Sequence, residues 1–79
     1  MNTIQRHWDA YLAMVVPVDA PPVQIQETRR AFYAGAEAMM CINRAIGEPG
    51  IAENDAVKMM EGCATELRSF SDDVANGKA

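Results

Sequence analysis

The sequence predicts an all-α protein, and three observations support that prediction. Apolar residues recur at helical spacings of three and four in three separate segments. Clusters of proline and glycine separate those segments. No stretch alternates apolar and polar residues as a half-buried strand does. We therefore expect a single helical domain over residues 1–79, with helices at about residues 3–16, 20–46 and 52–76.

The first predicted helix is short and has an aromatic side. Thr3 is a suitable N-cap, and Pro17 disfavours a helical conformation at the residue before it. The apolar positions follow one another at spacings of four, three and four: Ile4, Trp8, Tyr11 and Val15. This pattern predicts a helix that buries one face, with Trp8 in the core.

The second and third predicted helices carry apolar stripes of matching length. Asp19 is the expected N-cap of the second helix, and Gly77 is the expected C-cap of the third. The stripe of the second helix comprises Ile25, Thr28, Phe32, Gly35, Met39, Ile42 and Ile46. The stripe of the third comprises Ala56, Met60, Cys63, Leu67, Phe70 and Val74. If the chain reverses direction at residues 47–50, the two stripes face each other, and large residues of one mostly lie opposite small or flexible residues of the other. This match predicts that the second and third helices form a long antiparallel αα-hairpin.

The second helix has more apolar surface than one neighbouring helix can cover. A row of small residues lies beside its main stripe: Ala31, Ala34, Ala38, Cys41 and Ala45. We expect copies of the chain to pack there, giving a homo-oligomeric helical bundle. The alternative is that alanine is present only because it is a good helix former.

Charge and composition exclude several classes of protein. Seven basic residues stand against eleven acidic ones, for a formal net charge of −4, so duplex nucleic acid and anionic membranes are not expected partners. No apolar run approaches the roughly 20 residues of a membrane span, and no basic-then-apolar leader precedes the first helix. These features predict a cytosolic protein in which Cys41 and Cys63 stay reduced.

The chemistry-bearing residues do not form an active site. His7 is the single histidine, and no serine or cysteine lies beside a base. No cluster has metal-ligand spacing. We expect neither catalytic residues nor a metal nor a cofactor.

A binding site is predicted on the second helix. Arg29 and Tyr33 share one helix surface at a spacing of four, and Arg30 lies beside them. Arginine next to an aromatic ring can hold a phosphate while the ring stacks on a base. Trp8 and Tyr11 complete the candidate ligand-binding set. The alternatives are that Trp8 belongs to the core and that the arginines form salt bridges with acids: Glu27, Glu37 or Glu66.

One segment resembles a group of short phage and prophage helical proteins. The resemblance is most specific in residues 26–36 (QETRRAFYAGA). It covers most of the chain, with further positions at Trp8, Tyr11, Val16-Pro17, Ala20-Pro21-Pro22 and residues 59–61 and 66–70. It implies a phage accessory protein and brings no established active site. A looser analogy, from Asn43-Arg44-Ala45-Ile46 followed by Pro49, is to helical phage sponges that sequester cyclic nucleotide signals of bacterial immunity. The spacing from Gly35 to Arg44 differs from that group, so no residue roles are transferred.

Two functions follow as hypotheses. The first is a phage-encoded, non-enzymatic anti-defence protein in the host cytoplasm, which sequesters a cyclic or adenosine-derived nucleotide at subunit interfaces. The alternative is a helical interaction module that binds a host or phage protein through adaptable methionine-rich surface and has no small-molecule ligand. A structural virion component is a third possibility.

Overall fold

The structure, a computed structural model, describes residues 3–79 and has three helices in that range. They are α1 (Ile4–Met14), α2 (Pro22–Ile46) and α3 (Glu53–Ala75). No strand occurs among the described residues. The chain divides into two compact units, one ending at Cys41 and the other spanning Ile42–Ala79. The all-α prediction is confirmed.

The first helix begins where the sequence indicates and ends slightly earlier. The Thr3 side chain accepts a hydrogen bond from the backbone N–H of Arg6 at 3.2 Å, as an N-cap does. The last helical residue is Met14 rather than Val16. Because Pro17 restricts the residue before it to extended conformations, the final turn cannot continue to that point.

The second helix begins two residues later than predicted, and Asp19 does not cap it. Pro22 is its first residue, and the carbonyl of Pro21 accepts the backbone N–H of Ile25 at 3.1 Å. Proline suits the first helical position because the N–H it lacks has no partner there. Asp19 lies before that point, in the turn where the N–H of Ala20 donates to the Pro17 carbonyl.

The core of the first unit is small and aromatic. Trp8 is only 3% exposed. Its ring centroid lies 6.1 Å from that of Tyr11 on the same helix and 5.6 Å from that of Phe32 on α2. The Tyr11 and Phe32 centroids are 5.5 Å apart. These three rings fix α1 against the middle of α2, as the predicted aromatic side of the first helix requires.

Within the first unit, most residues of the apolar stripe predicted for α2 are half-buried, and the buried face differs from the prediction at a few positions. Ile25, Thr28, Phe32 and Met39 are half-buried, whereas Gly35 is exposed. Tyr33 and Ala36 are half-buried in addition. The row of small residues is exposed along its whole length: Ala31, Ala34, Ala38, Cys41 and Ala45.

The second unit consists mainly of α3, and a glycine with a positive φ angle lies just outside each end of this helix. Gly50 adopts φ +96° in the turn before the helix, and Glu53 and Asp55 place acids in its first turn, where the helix dipole favours them. At the other end Gly77 adopts φ +71°. The N–H of Lys78 donates to the Asp73 carbonyl at 2.7 Å, which closes a Schellman motif and confirms the predicted glycine cap.

The apolar stripe of α3 is largely in contact with solvent. Its large apolar side chains are between 41% and 62% exposed: Val57, Met59, Met60, Leu67, Phe70 and Val74. Ala56 and Cys63 are half-buried, and both cysteines of the chain are free thiols. The hairpin between the second and third helices, the single domain and the oligomer stay predictions.

Candidate functional site

Four residues of α2 line an open groove of about 340 Å³: Gln26, Arg29, Arg30 and Tyr33. Their spacing of three, one and three puts them on one surface of the helix. The groove therefore contains two of the predicted ligand-binding arginines and one predicted aromatic residue. Its volume is at the lower end of the range for small-molecule sites, which is roughly 300–1,000 Å³.

Arg29 is held in place by neutral groups. One of its terminal nitrogens donates to the side-chain oxygen of Gln5 on α1 at 3.0 Å. Its guanidinium carbon lies 5.4 Å from the centroid of the Tyr33 ring, a cation–π arrangement. Neither of these two partners carries a negative charge, so neither of them neutralises the Arg29 guanidinium. A guanidinium has five N–H donors, so most of them remain for a ligand.

Tyr33 is fixed by the same glutamine. Its hydroxyl donates to the Gln5 oxygen at 3.0 Å, and its ring contacts Phe32 edge-on at 6.3 Å between centroids. One face of the ring is occupied by Arg29. A base stacking on Tyr33 must therefore use the other face.

Arg30 forms an ion pair with Glu27, one of the salt bridges that the sequence offered as an alternative to ligand binding. Its guanidinium lies 3.1 Å from a carboxylate oxygen of Glu27, three residues earlier on the same helix. The two side chains are 67% and 61% exposed, so solvent weakens the pair and its net contribution to stability is small, about 0.2–1 kcal/mol. An anion in the groove can compete with such a carboxylate for Arg30.

The two remaining candidates do not line the groove. Trp8 has almost no surface left for a ligand, because its ring is buried between α1 and α2. Tyr11 packs on Trp8 and Phe32 with 37% of its surface exposed. In this structure both residues position α1, and the groove is formed without them.

Two residues of the site were missed in the sequence. Gln5 forms hydrogen bonds with Arg29 and Tyr33, which are 24 and 28 residues away in the sequence. Helical spacing within one segment cannot reveal contacts at such a separation. Gln26 could have been found, because it precedes Arg29 and Arg30 by three and four residues and therefore shares their helix surface.

Within residues 3–79 the structure contains neither a metal-binding cluster nor a membrane-spanning helix. No group of three or more His, Cys, Asp or Glu side chains within residues 3–79 could hold a metal ion. None of the three helices combines the length and apolar character that crossing a bilayer requires.

The fold and the groove define a small all-α protein with an arginine-lined surface site. No protein-family model, no curated protein and no solved structure matches the chain. The site must therefore be interpreted from its own chemistry. That chemistry is two guanidinium groups, an amide and a phenol ring on one helix face, and guanidinium groups of this kind suit the binding of an anion.

Proposed function

We propose that the protein is a non-enzymatic binder of a small phosphate-bearing ligand, which it holds in the groove containing Arg29 and Arg30. The proposal rests on the contacts of Arg29, whose guanidinium is fixed by the neutral side chains of Gln5 and Tyr33 and lies in the groove beside Arg30. Guanidinium groups bind phosphate oxygens through paired, charge-assisted hydrogen bonds. Fixing the side chain beforehand lowers the entropy lost when the ligand binds.

A nucleotide fits this groove better than a bare anion does. Gln26 offers an amide that can pair with polar atoms of a base, and Tyr33 lines the same groove with an aromatic ring on which a base could stack opposite Arg29. Two resemblances motivate a more specific role. Residues 26–36 resemble short phage proteins, and Asn43-Arg44-Ala45-Ile46 followed by Pro49 is loosely similar to helical phage sponges. In that role the chain sequesters a cyclic or adenosine-derived immune signal in the cytoplasm of an infected host.

The active form in this proposal is a homo-oligomer built from αα-hairpins. All four groove residues lie on one face of one helix, so a ligand bound there stays open to solvent on its other side. Small-molecule sites usually bury 70–90% of the ligand surface. A second copy that packs on the exposed small residues of α2 would supply the missing wall and cover apolar surface at the same time.

The experiment is calorimetric titration of the protein with cyclic and linear adenosine nucleotides. We expect at least one nucleotide to bind, and we expect Arg29→Gln and Arg30→Gln each to weaken that binding at least tenfold. Arg44→Gln is the matched control, because it removes the same charge from the last turn of the same helix. If no nucleotide gives heat, or if the control weakens binding as much as the groove variants do, the proposal is wrong.

The alternative function, docking to another protein, is favoured by a separate observation. Met40, Met59 and Met60 are between 41% and 46% exposed, and methionine surfaces adapt to varied partners. In that case Arg29→Gln would leave partner binding unchanged, while Met59→Ser combined with Met60→Ser would abolish it. Affinity capture with the wild type, Arg29→Gln and the double methionine variant measures both effects. If the wild type recovers no stoichiometric protein, the alternative function is wrong.

A further inference from the structure

The amide of Gln5 connects three side chains in one hydrogen-bonded network. Its oxygen accepts from Arg29 and from the Tyr33 hydroxyl, each at 3.0 Å. Its nitrogen donates to a carboxylate oxygen of Asp9 at 2.9 Å, one turn further along α1. Arginine can only donate and an ionised carboxylate can only accept, so this orientation of the amide is the one that satisfies every partner.

Gln5 also separates two opposite charges. Asp9 is the acid of this network, and the neutral amide lies between it and the Arg29 guanidinium. A carboxylate in the place of that amide would form a direct ion pair with Arg29. Such a pair competes with any anion that approaches the same guanidinium.

We infer that Gln5 is the positioning residue of the groove: it holds Arg29 and Tyr33 in place for an anionic ligand while leaving the charge of Arg29 uncompensated. The inference rests on the proposed function and deepens it, because it assigns to α1 a role in ligand affinity. Gln5 does not itself line the groove. It acts through the two side chains that it fixes.

The central test moves one carboxylate without changing the net charge of the chain. In the double variant Gln5→Glu with Asp9→Asn, the new carboxylate at position 5 accepts from Arg29, and the new amide at position 9 can donate to it. Helix stability should rise, because the first turn of α1 lacks an acidic residue and the helix dipole favours one there. Affinity for inorganic pyrophosphate, measured by calorimetry, should nevertheless fall about tenfold.

A second variant changes stability in the opposite direction. Gln5→Met keeps the length and helix propensity of the side chain but removes all three hydrogen bonds. It should lower the melting temperature and also weaken pyrophosphate binding several-fold, because Arg29 and Tyr33 are no longer held. A merely structural role would make affinity follow stability in both variants. The inference requires affinity to fall in both while stability moves in opposite directions.

Asp9→Asn alone is the control. It keeps the hydrogen bonds from Arg29 and Tyr33 to Gln5 and removes one negative charge from the network, so its pyrophosphate affinity should equal or modestly exceed that of the wild type and should not fall. Wild-type affinity in the charge-relocated double variant would overturn the inference and leave the proposed function intact. Absence of pyrophosphate binding by the wild type would also overturn it. The adenosine nucleotide titration then decides separately whether the proposed function survives.

Discussion

Replacing Trp8 by alanine should remove most of what holds α1 to α2. The side chain is 3% exposed and contacts the rings of Tyr11 and Phe32, with centroid distances of 6.1 and 5.6 Å. Truncating a buried tryptophan to alanine typically costs about 3–5 kcal/mol. A domain of this length is stabilised by roughly 4–12 kcal/mol, so the substitution removes a large fraction of the total.

Urea denaturation followed by circular dichroism at the helix band measures this loss. The matched control is Met14→Ala, on the same helix, where the side chain is 84% exposed and the expected change lies within about 0.5 kcal/mol. If Trp8→Ala does not fold, Trp8→Phe should fold with a smaller loss, because it retains an aromatic ring. A loss below about 1 kcal/mol for Trp8→Ala would show that the aromatic cluster does not dock α1 on α2.

The consequence for ligand binding is equally specific. Gln5 lies on α1 with Trp8, so undocking α1 also withdraws the group that holds Arg29 and Tyr33. Pyrophosphate affinity should therefore fall in Trp8→Phe and stay unchanged in Met14→Ala. If Trp8→Phe clearly lowers stability but leaves pyrophosphate affinity unchanged, the packing of the aromatic core does not influence ligand binding in the groove.

Two further predictions concern the groove and the glycines. Glu27→Gln should raise anion affinity about fivefold, because it frees Arg30 and removes a nearby negative charge worth about 1 kcal/mol. Glu37→Gln is the control, because Glu37 lies about 15 Å from Glu27 along α2 and should have little effect under physiological salt. Equal effects of the two variants in calorimetry would contradict the assignment of Arg30 to the groove. Gly62→Ala should raise stability by about 0.5–1 kcal/mol, because a Cβ there meets nothing within 4 Å inside a helix. Gly50→Ala should lower stability by a similar amount, because φ is +96° at that position; thermal melts that moved in the same direction for both glycines would refute the backbone account.

The sequence predicted the helices well because their signals are local. Thr3 and Gly77 have the cap roles that residue type and position indicate. The errors are local too. Asp19 is not the N-cap that its residue type suggests, because only the second of the two prolines, Pro22, belongs to the first turn of α2.

The site was only partly predictable because it depends on how α1 docks. Arg29, Arg30 and Tyr33 share a helix face, which spacing alone reveals. Gln5 becomes part of the network only when the aromatic cluster sets the rotation of α1 against α2. Trp8 was a candidate ligand residue for its ring, and burial of that ring gives it a structural role instead.

The proposed self-association, argued above from the small residues of α2, is also favoured by the exposed apolar side chains of α3. Its exposed apolar side chains include Leu67 and Phe70, which are 62% and 59% exposed. Fully burying such a side chain is worth about 1.5–3 kcal/mol, so covering the exposed part of six of them provides roughly 5–10 kcal/mol for packing. Leu67→Glu and Phe70→Glu should therefore shift any oligomer toward smaller species, while Lys58→Glu, which alters charge alone, should not.

Sedimentation equilibrium of the wild-type protein from 1 to 100 µM tests this claim most directly. We expect a dominant species of at least twice the 8.6 kDa chain mass, and we expect it to dissociate in Leu67→Glu and Phe70→Glu. A stable, well-folded species of 8.6 kDa across that whole range would contradict it.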